Sequence, residues 1–165
     1  MEKPLIMVVD DEKKFADSVA IFLQNNGFKT ITAYSAKEAL AALDKNRSLM
    51  GLGDIKIKCI VLDIKMPEMD GLQFLRKLRE DYKSEIGVII LSAYGDEEKW
   101  SKATAGLVVG YLRKPLKEAA LLAHLKMYSI NKNFAIEQTR QKLFGERILE
   151  DVENIKSKHE KFKEE

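Results

Sequence analysis

Short apolar runs alternate with stretches of helical periodicity along most of the chain. Continuous apolar or β-branched runs predict five strands, at residues 5–9, 28–33, 57–62, 88–91 and 108–112. Apolar residues at helical spacing follow each run and predict five helices, around residues 15–25, 35–43, 72–79, 96–100 and 117–128. The polar stretch 45–56 predicts a long loop.

Punctuating residues support these boundaries. Gly27 is placed to end the first helix. Ser35 and Glu38 form a capping-box pattern that predicts the start of the second helix. Asp96 is a candidate cap for a fourth helix carrying Trp100. The pattern predicts an α/β fold with a doubly wound, five-stranded parallel sheet, helices on both faces and right-handed crossovers.

Polar residues follow the predicted strands, and ligands of such sheets bind at the carboxyl ends of the strands. Asp10 and Asp11 follow the first strand, Asp63 the third, Ser92 the fourth and Lys114 the fifth. Three close carboxylates need a cation, and hard oxygen ligands without histidine or cysteine favour Mg²⁺. The lysine and the serine hydroxyl suit phosphoryl oxygens. The sequence thus predicts a site that moves a phosphoryl group onto a carboxylate.

Each of these residues has an ordinary interpretation when it is taken alone. An Asp-Asp pair after a strand is usually a turn or a helix cap, and Asp63 before a proline-containing loop is usually a turn former. Ser92 alone suggests a loop hydroxyl and Lys114 a solvated cation. Their common position at strand ends favours a site instead.

Four segments carry a specific resemblance: VVDDE (8–12), VLDIKMPEMDG (61–71), ILSAYG (90–95) and GYLRKP (110–115). Together they resemble the receiver domain of two-component response regulators, over about residues 4–128. The resemblance implies a flavodoxin-like receiver fold and a phosphorylation-activated switch of a protein-interaction face, with no catalytic output of its own. The phosphoryl donor would be a sensor histidine kinase or a phosphotransfer protein.

The resemblance also implies roles for individual residues. Asp63 would be the phosphoacceptor. Asp10 and Asp11 would hold Mg²⁺ together with Asp63 and the backbone carbonyl of Lys65. Of the pair Asp10 and Asp11, Asp11 is the one expected to contact the ion directly.

The remaining implied roles concern the switch. Ser92 and Lys114 would contact the phosphoryl group, and Tyr111 would be the aromatic residue whose rotamer reports phosphorylation. The bond between Lys114 and Pro115 would be cis.

Charge and hydropathy bear on whether the protein binds nucleic acid, spans a membrane or is secreted. The net charge is +2, from 28 basic and 26 acidic residues, so no electrostatic footprint predicts direct nucleic-acid binding. No apolar run approaches the roughly 20 residues that span a bilayer, and the N-terminal apolar stretch is too short for a signal sequence. We therefore expect a cytoplasmic protein with no membrane span. Cys59 is the only cysteine and is expected in the core.

Residues 1–128 are predicted to form the receiver domain and residues 129–165 a helical extension. Eight acidic and eight basic residues balance in the extension, which is too short for a DNA-binding domain. A four-three apolar spacing predicts a coiled-coil seam at Ile148, Val152, Ile155, His159 and Phe162. The fifth helix would continue past Tyr128 into a homodimeric pair. A solvated helix, a disordered tail, a bend at Gly145 and an interruption at the polar stretch NKN (131–133) stay open.

Two other functions are compatible with such a sheet. A Mg²⁺-dependent phosphatase with an aspartyl nucleophile would carry a second acid two residues later, where this chain has Lys65. A flavodoxin-like nucleotide-binding module would need a Ser/Thr/Gly-rich phosphate loop after the first strand, where this chain has DDEKK. The downstream protein target or effector domain is not identified by any motif.

Overall fold

The computed structural model describes residues 3–46, 56–82, 86–93 and 108–161. Its strands are β1 (Leu5–Val9), β2 (Lys29–Ala33), β3 (Ile57–Asp63), β4 (Gly87–Ser92) and β5 (Gly110–Arg113). Its helices are α1 (Lys13–Asn25), α2 (Ala36–Lys45), α3 (Gly71–Tyr82), α4 (Glu118–Ile130) and α5 (Lys132–Lys161). The helix predicted around Asp96 and Trp100, and most of the predicted loop after α2, lie outside the described residues.

The strands form one parallel sheet in the order β2-β1-β3-β4-β5. The predicted doubly wound, five-stranded parallel sheet is therefore confirmed. The strand order reverses between β1 and β3, which is where such sheets bind their ligands. None of the helices in the described part of the chain has the length and apolar composition to span a bilayer.

Buried side chains of β1, β3 and β4 alternate between two apolar layers. Met7 and Val9 face the layer that α2 and α3 cover, whereas Ile6 and Val8 face the layer that α1 and α4 cover. Both layers are sealed from solvent, which explains why the strands read as continuous apolar runs. Cys59 is fully buried in the second layer, as predicted.

The predicted helix ends are found close to their positions. Gly27 follows α1 with a φ of +94°, a conformation that glycine adopts without strain. The Ser35 hydroxyl accepts a hydrogen bond from the Glu38 N–H at 3.1 Å. The Glu38 carboxylate accepts one from the Tyr34 N–H at 2.8 Å, one residue earlier than a standard capping box.

The extension does not continue straight from α4. The helix passes Tyr128 but ends at Ile130, because Asn131 has an extended backbone (φ −154°, ψ 104°). The Asn131 side-chain oxygen accepts a hydrogen bond from the Phe134 N–H at 3.0 Å and starts a separate helix, α5. That helix runs through Gly145 without interruption to Lys161.

The first half of α5 packs against the sheet. Ala135 is buried in the layer covered by α1 and α4, and Leu143 is buried in the opposite layer. The helix therefore crosses beside β5 from one face of the sheet to the other. This part of the predicted extension contributes to the core of the domain.

Candidate functional site

Three carboxylates meet at the carboxyl ends of β1 and β3. Asp10 and Asp11 follow β1 directly, and Asp63 is the last residue of β3. One oxygen from each of the three lies within 4.8 Å of the others, with Asp10 and Asp63 buried and Asp11 exposed. Within the residues that the structure describes, no other group of three or more histidine, cysteine or acidic side chains is placed to hold a metal ion. The predicted convergence of these acids is present.

Lys114 reaches this cluster from the end of β5. Its ammonium lies 2.7 Å from Asp10 Oδ2 and 3.2 Å from Asp63 Oδ1. The same ammonium lies 4.4 Å from the centre of the Phe15 ring. The Lys114 N–H donates to the Ser92 carbonyl at 2.7 Å, and the following bond to Pro115 is cis, as expected. Backbone and side chain together position this cation between the two buried acids.

The crowding of acids changes the proton affinity of Asp63. Burial raises its pKa to about 6, the charge of Asp10 adds to the rise, and Lys114 opposes it. Burial lowers the pKa of Lys114, but its bonds with Asp10 and Asp63 outweigh that effect and leave the pKa above its ordinary value. The charged form of Asp63 is therefore destabilised in the folded chain, and a bound cation would offset that destabilisation.

Backbone contacts fix the two buried acids. Asp10 Oδ1 accepts a hydrogen bond from the Glu12 N–H at 2.9 Å. Behind Asp63 the chain returns so closely that a Cβ on Gly71 would collide with the Asp63 backbone oxygen and lie 2.9 Å from the Ile64 Cα. The Gly71 N–H donates to the Ile64 carbonyl at 2.8 Å and closes the loop. Hydrophobic periodicity assigns no role to Gly71, although an Asp-Gly pair such as Asp70-Gly71 is typical of a turn.

Ser92 and Tyr111 lie on neighbouring strands beside the carboxylates. Ser92 ends β4 and is 1% exposed, and its hydroxyl has no hydrogen-bond partner among the described residues. Leu91, the residue before it, pairs with Asp63 in the sheet register. Tyr111 is buried on β5 in the layer that α2 and α3 cover. A buried hydroxyl beside the carboxylates, with no partner in this part of the chain, suits a ligand that brings an acceptor oxygen.

Lys65, the remaining predicted site residue, lies two positions after Asp63 in the connection between β3 and α3, and its side chain is exposed. The residues present fit a magnesium ion, because the cluster offers three carboxylates and no nitrogen or sulfur ligand.

Comparison with known proteins agrees with this geometry. The family model for the response regulator receiver domain matches residues 6–126. The chain belongs to this family. Regulatory protein VanR of Enterococcus faecium is 34% identical over 124 residues, which cover 73% of this chain and 48% of that protein.

Solved structures of receivers have the same fold. A response regulator receiver domain protein from Clostridium thermocellum is 30% identical and superimposes with a TM-score of 0.65, covering 86% of this chain and 98% of that one. A response regulator receiver protein from Pseudomonas putida has a TM-score of 0.68 at 24% identity, covering 77% of this chain and 98% of that one. The chain spans about half the length of the first curated relatives it matches.

Membership of the family carries general properties with it. Receiver domains are phosphorylated on an aspartate, bind Mg²⁺ in an acidic pocket, and interact with histidine kinases and effector domains. They are generally signalling domains and not enzymes.

Proposed function

We propose that Asp63 accepts a phosphoryl group from a sensor histidine kinase or phosphotransfer protein, in a Mg²⁺-dependent reaction. The observation that carries the proposal is the position of the Asp63 carboxylate beside the acids Asp10 and Asp11 and in contact with the ammonium of Lys114. The site therefore brings together a nucleophilic carboxylate, a side-chain cation and a set of metal ligands.

The chemistry is a displacement at phosphorus. A carboxylate oxygen of Asp63 attacks the phosphorus of a phosphohistidine, an O–P bond forms and the N–P bond breaks. The imidazole leaves with the electron pair, and the product is an acyl phosphate on Asp63. Lys114, already between Asp10 and Asp63, would turn to a phosphoryl oxygen and neutralise part of the incoming charge.

Four ligands would hold the metal in this chain: the carboxylates of Asp10, Asp11 and Asp63, and the backbone carbonyl of Lys65. Of the pair Asp10 and Asp11, Asp11 is proposed as the one that contacts the ion directly. Bound Mg²⁺ supplies positive charge that offsets the carboxylates and the phosphoryl oxygens. This neutralisation is needed because an acyl phosphate brings up to two further negative charges.

The switch is proposed to start at Ser92. Its hydroxyl would donate to a phosphoryl oxygen, and its inward movement would leave space that Tyr111 can enter. We call the surface formed by α4 and by β5, the strand that carries Tyr111, the switch face. The change is a two-state population shift, limited by how differently the two states bind the phosphoryl group.

The output is proposed to be a protein interaction, with an unidentified downstream target or effector domain and no direct nucleic-acid binding. We propose homodimerisation through the C-terminal helix, supported by the apolar side chain of Leu149 in α5, which is 65% exposed. Sedimentation of the full chain would detect a concentration-dependent dimer, and a monomer at all concentrations would reject pairing. The proposed location is cytoplasmic, as is typical of receiver domains.

Acetyl phosphate labelling tests the proposal. Intact-mass spectrometry should show one phosphoryl adduct when Mg²⁺ is present and none when it is chelated. Asp63→Asn should abolish the adduct, whereas Asp81→Asn, at an exposed position at the end of α3, should not. Undiminished labelling of Asp63→Asn would refute the assignment.

A further inference from the structure

The first half of α5 buries a stripe of its own residues against the domain. Ala135, Thr139 and Leu143 follow one another at four-residue spacing and are 0%, 4% and 4% exposed. This spacing places them on one face of the helix. Phe134 and Phe144 are instead 53% and 66% exposed. The helix therefore has a definite docked face and does not lie loosely on the surface.

The turn before α5 directs the helix onto the domain. Asn131 breaks the helical backbone, its carbonyl accepts a hydrogen bond from the Ala135 N–H at 3.0 Å, and its side chain caps the new helix. Before the turn, the Tyr128 hydroxyl donates to the Lys58 carbonyl at 2.7 Å and ties the end of α4 to β3. These contacts fix the direction in which α5 leaves.

Leu143, a residue of α5, lies in the same buried apolar cluster as Tyr111, the proposed switch residue. Both residues also line a cavity of about 370 Å³, together with Lys114 and Pro115. One cavity therefore adjoins the lysine of the phosphoacceptor site, the switch tyrosine and the C-terminal helix.

We propose that residues 135–143 of α5 are an internal ligand of the switch face, and that phosphorylation of Asp63 weakens their docking. The inference rests on the function proposed above and specifies what that switch regulates. Tyr111 and Leu143 line one cavity and belong to one buried cluster, so a turn of Tyr111 into the space left by Ser92 would remove a side chain from beside Leu143. Because Leu143 packs in the same cluster, a rotation of Tyr111 changes the surface on which α5 rests.

Coupling between two sites is reciprocal. If phosphorylation weakens the docking of α5, docking must disfavour the phosphorylated state by the same factor. The docked helix is then a brake on activation and also covers the surface that a partner would use. Releasing it would expose Leu143 and the side of β5 together.

Hydrogen exchange on the full chain tests the docking directly. Beryllofluoride with Mg²⁺ serves as the phosphoryl mimic, and exchange is followed by mass spectrometry with and without it. Amides of residues 135–143 should exchange about five-fold faster or more with the mimic bound. Amides of α2, which carries none of the site residues, should not change. Equal exchange in α5 under both conditions would overturn the proposal, as would slower exchange.

A matched pair of neighbouring substitutions tests the reciprocal effect. Leu143→Ala removes a buried side chain and should tighten beryllofluoride binding by about five-fold or more. Phe144→Ala removes an exposed apolar side chain from the next position and should leave that affinity unchanged. Identical affinities in both variants and the wild type would also overturn the proposal. If Leu143→Ala fails to fold, Leu143→Met gives a milder perturbation.

The two proposals fail in different ways. If acetyl phosphate leaves no adduct on Asp63 of the wild type, the phosphoacceptor function itself is wrong. If Asp63 is labelled and beryllofluoride binds, but α5 exchanges at an unchanged rate, only the internal-ligand inference is wrong.

Discussion

The Lys114 ammonium lies 2.7 Å from Asp10 Oδ2, although the two residues are 104 positions apart in the chain. The same ammonium is 3.2 Å from Asp63 Oδ1. Lysine is therefore the counter-ion of the acidic cluster in this structure. A divalent cation bound by those acids would release the lysine for a phosphoryl oxygen, so metal binding and phosphoryl recognition share one residue.

Lys114→Ala is predicted to separate these two functions. Mg²⁺ affinity should be unchanged or a few-fold tighter, because a competing cation is removed from Asp10 and Asp63. The acetyl phosphate labelling rate should fall about ten-fold or more, because a charged hydrogen bond to the phosphoryl group is lost. Titration calorimetry and intact-mass kinetics measure the two effects.

Asp11→Ala serves as the opposite control, since it should weaken Mg²⁺ binding strongly. If Lys114→Ala weakens Mg²⁺ binding as much as Asp11→Ala does, the counter-ion interpretation of Lys114 is wrong.

Asp63→Asn is predicted to stabilise the protein in Mg²⁺-free buffer at alkaline pH. The pKa of Asp63 is raised to about 6 in the folded chain, whereas an unfolded aspartate titrates near about 3.9. The folded state therefore keeps the proton more readily, and its stability falls as pH rises from 4 to 6. Above pH 6 the charged Asp63 lowers the free energy of unfolding by an amount on the order of 1–3 kcal/mol. Asparagine carries no charge, so Asp63→Asn removes this destabilisation.

Urea unfolding at pH 5 and pH 8 measures the effect, and saturating Mg²⁺ should reduce it. Equal stability of the two proteins at pH 8 without Mg²⁺ would show that Asp63 carries no such penalty.

Two glycine-to-alanine substitutions should have opposite effects. Gly71→Ala places a Cβ against the backbone of Asp63 and Ile64, which cannot move aside as a side chain can. We expect the free energy of unfolding to fall by about 2 kcal/mol or more and acetyl phosphate labelling of Asp63 to be lost. Gly145→Ala meets no atom within 4 Å and should stabilise α5 by up to about 1 kcal/mol.

Thermal unfolding distinguishes the two outcomes, with intact-mass labelling as the second readout. Normal labelling of Gly71→Ala would mean that the loop behind Asp63 accommodates a methyl group.

His124 is predicted to destabilise the fold on mild acidification. Burial against β5 lowers its pKa below the ordinary value near 6.5, and the charge of Lys142 lowers it further. The unfolded chain then binds the proton more readily, so stability is lost as pH falls below 6.5. His124→Gln should flatten the dependence of unfolding free energy on pH between 7 and 5.

This comparison is best made in an Asp63→Asn background, because Asp63 titrates in the same range with the opposite sign. An equally steep dependence with and without His124 would rule out its contribution.

The sheet and the acidic cluster were predictable because both depend on local sequence. A strand segment buried on both faces is apolar, so the polar residue that follows such a segment marks the strand end, as at Asp10 and Asp63. Parallel strands bring such ends together, which placed Lys114 near the acids without any pairwise information. The role of Gly71 was missed because close backbone approach leaves no trace in periodicity.

The path of α5 could not be read in the same way. Ala135 and Thr139 are weak markers of burial, since neither is large and apolar. The four-three apolar spacing between Ile148 and Phe162 predicts pairing of the second half of the helix and gives no signal for the first half. Asn131 is both a tolerable helix residue and a good N-cap, so only the tertiary contacts decide that it breaks the chain into two helices.

The crossing of α5 beside β5 has a consequence for solubility. β5 is the last strand of the sheet and pairs with β4 on one side. An open outer side of such a strand is a template for edge-to-edge aggregation, and natural proteins often cover it with a helix. The segment proposed to regulate the switch would then also protect the edge of the sheet from pairing with strands of other molecules. A chain shortened before Lys132 should therefore be more prone to aggregation even where its phosphoacceptor site is intact.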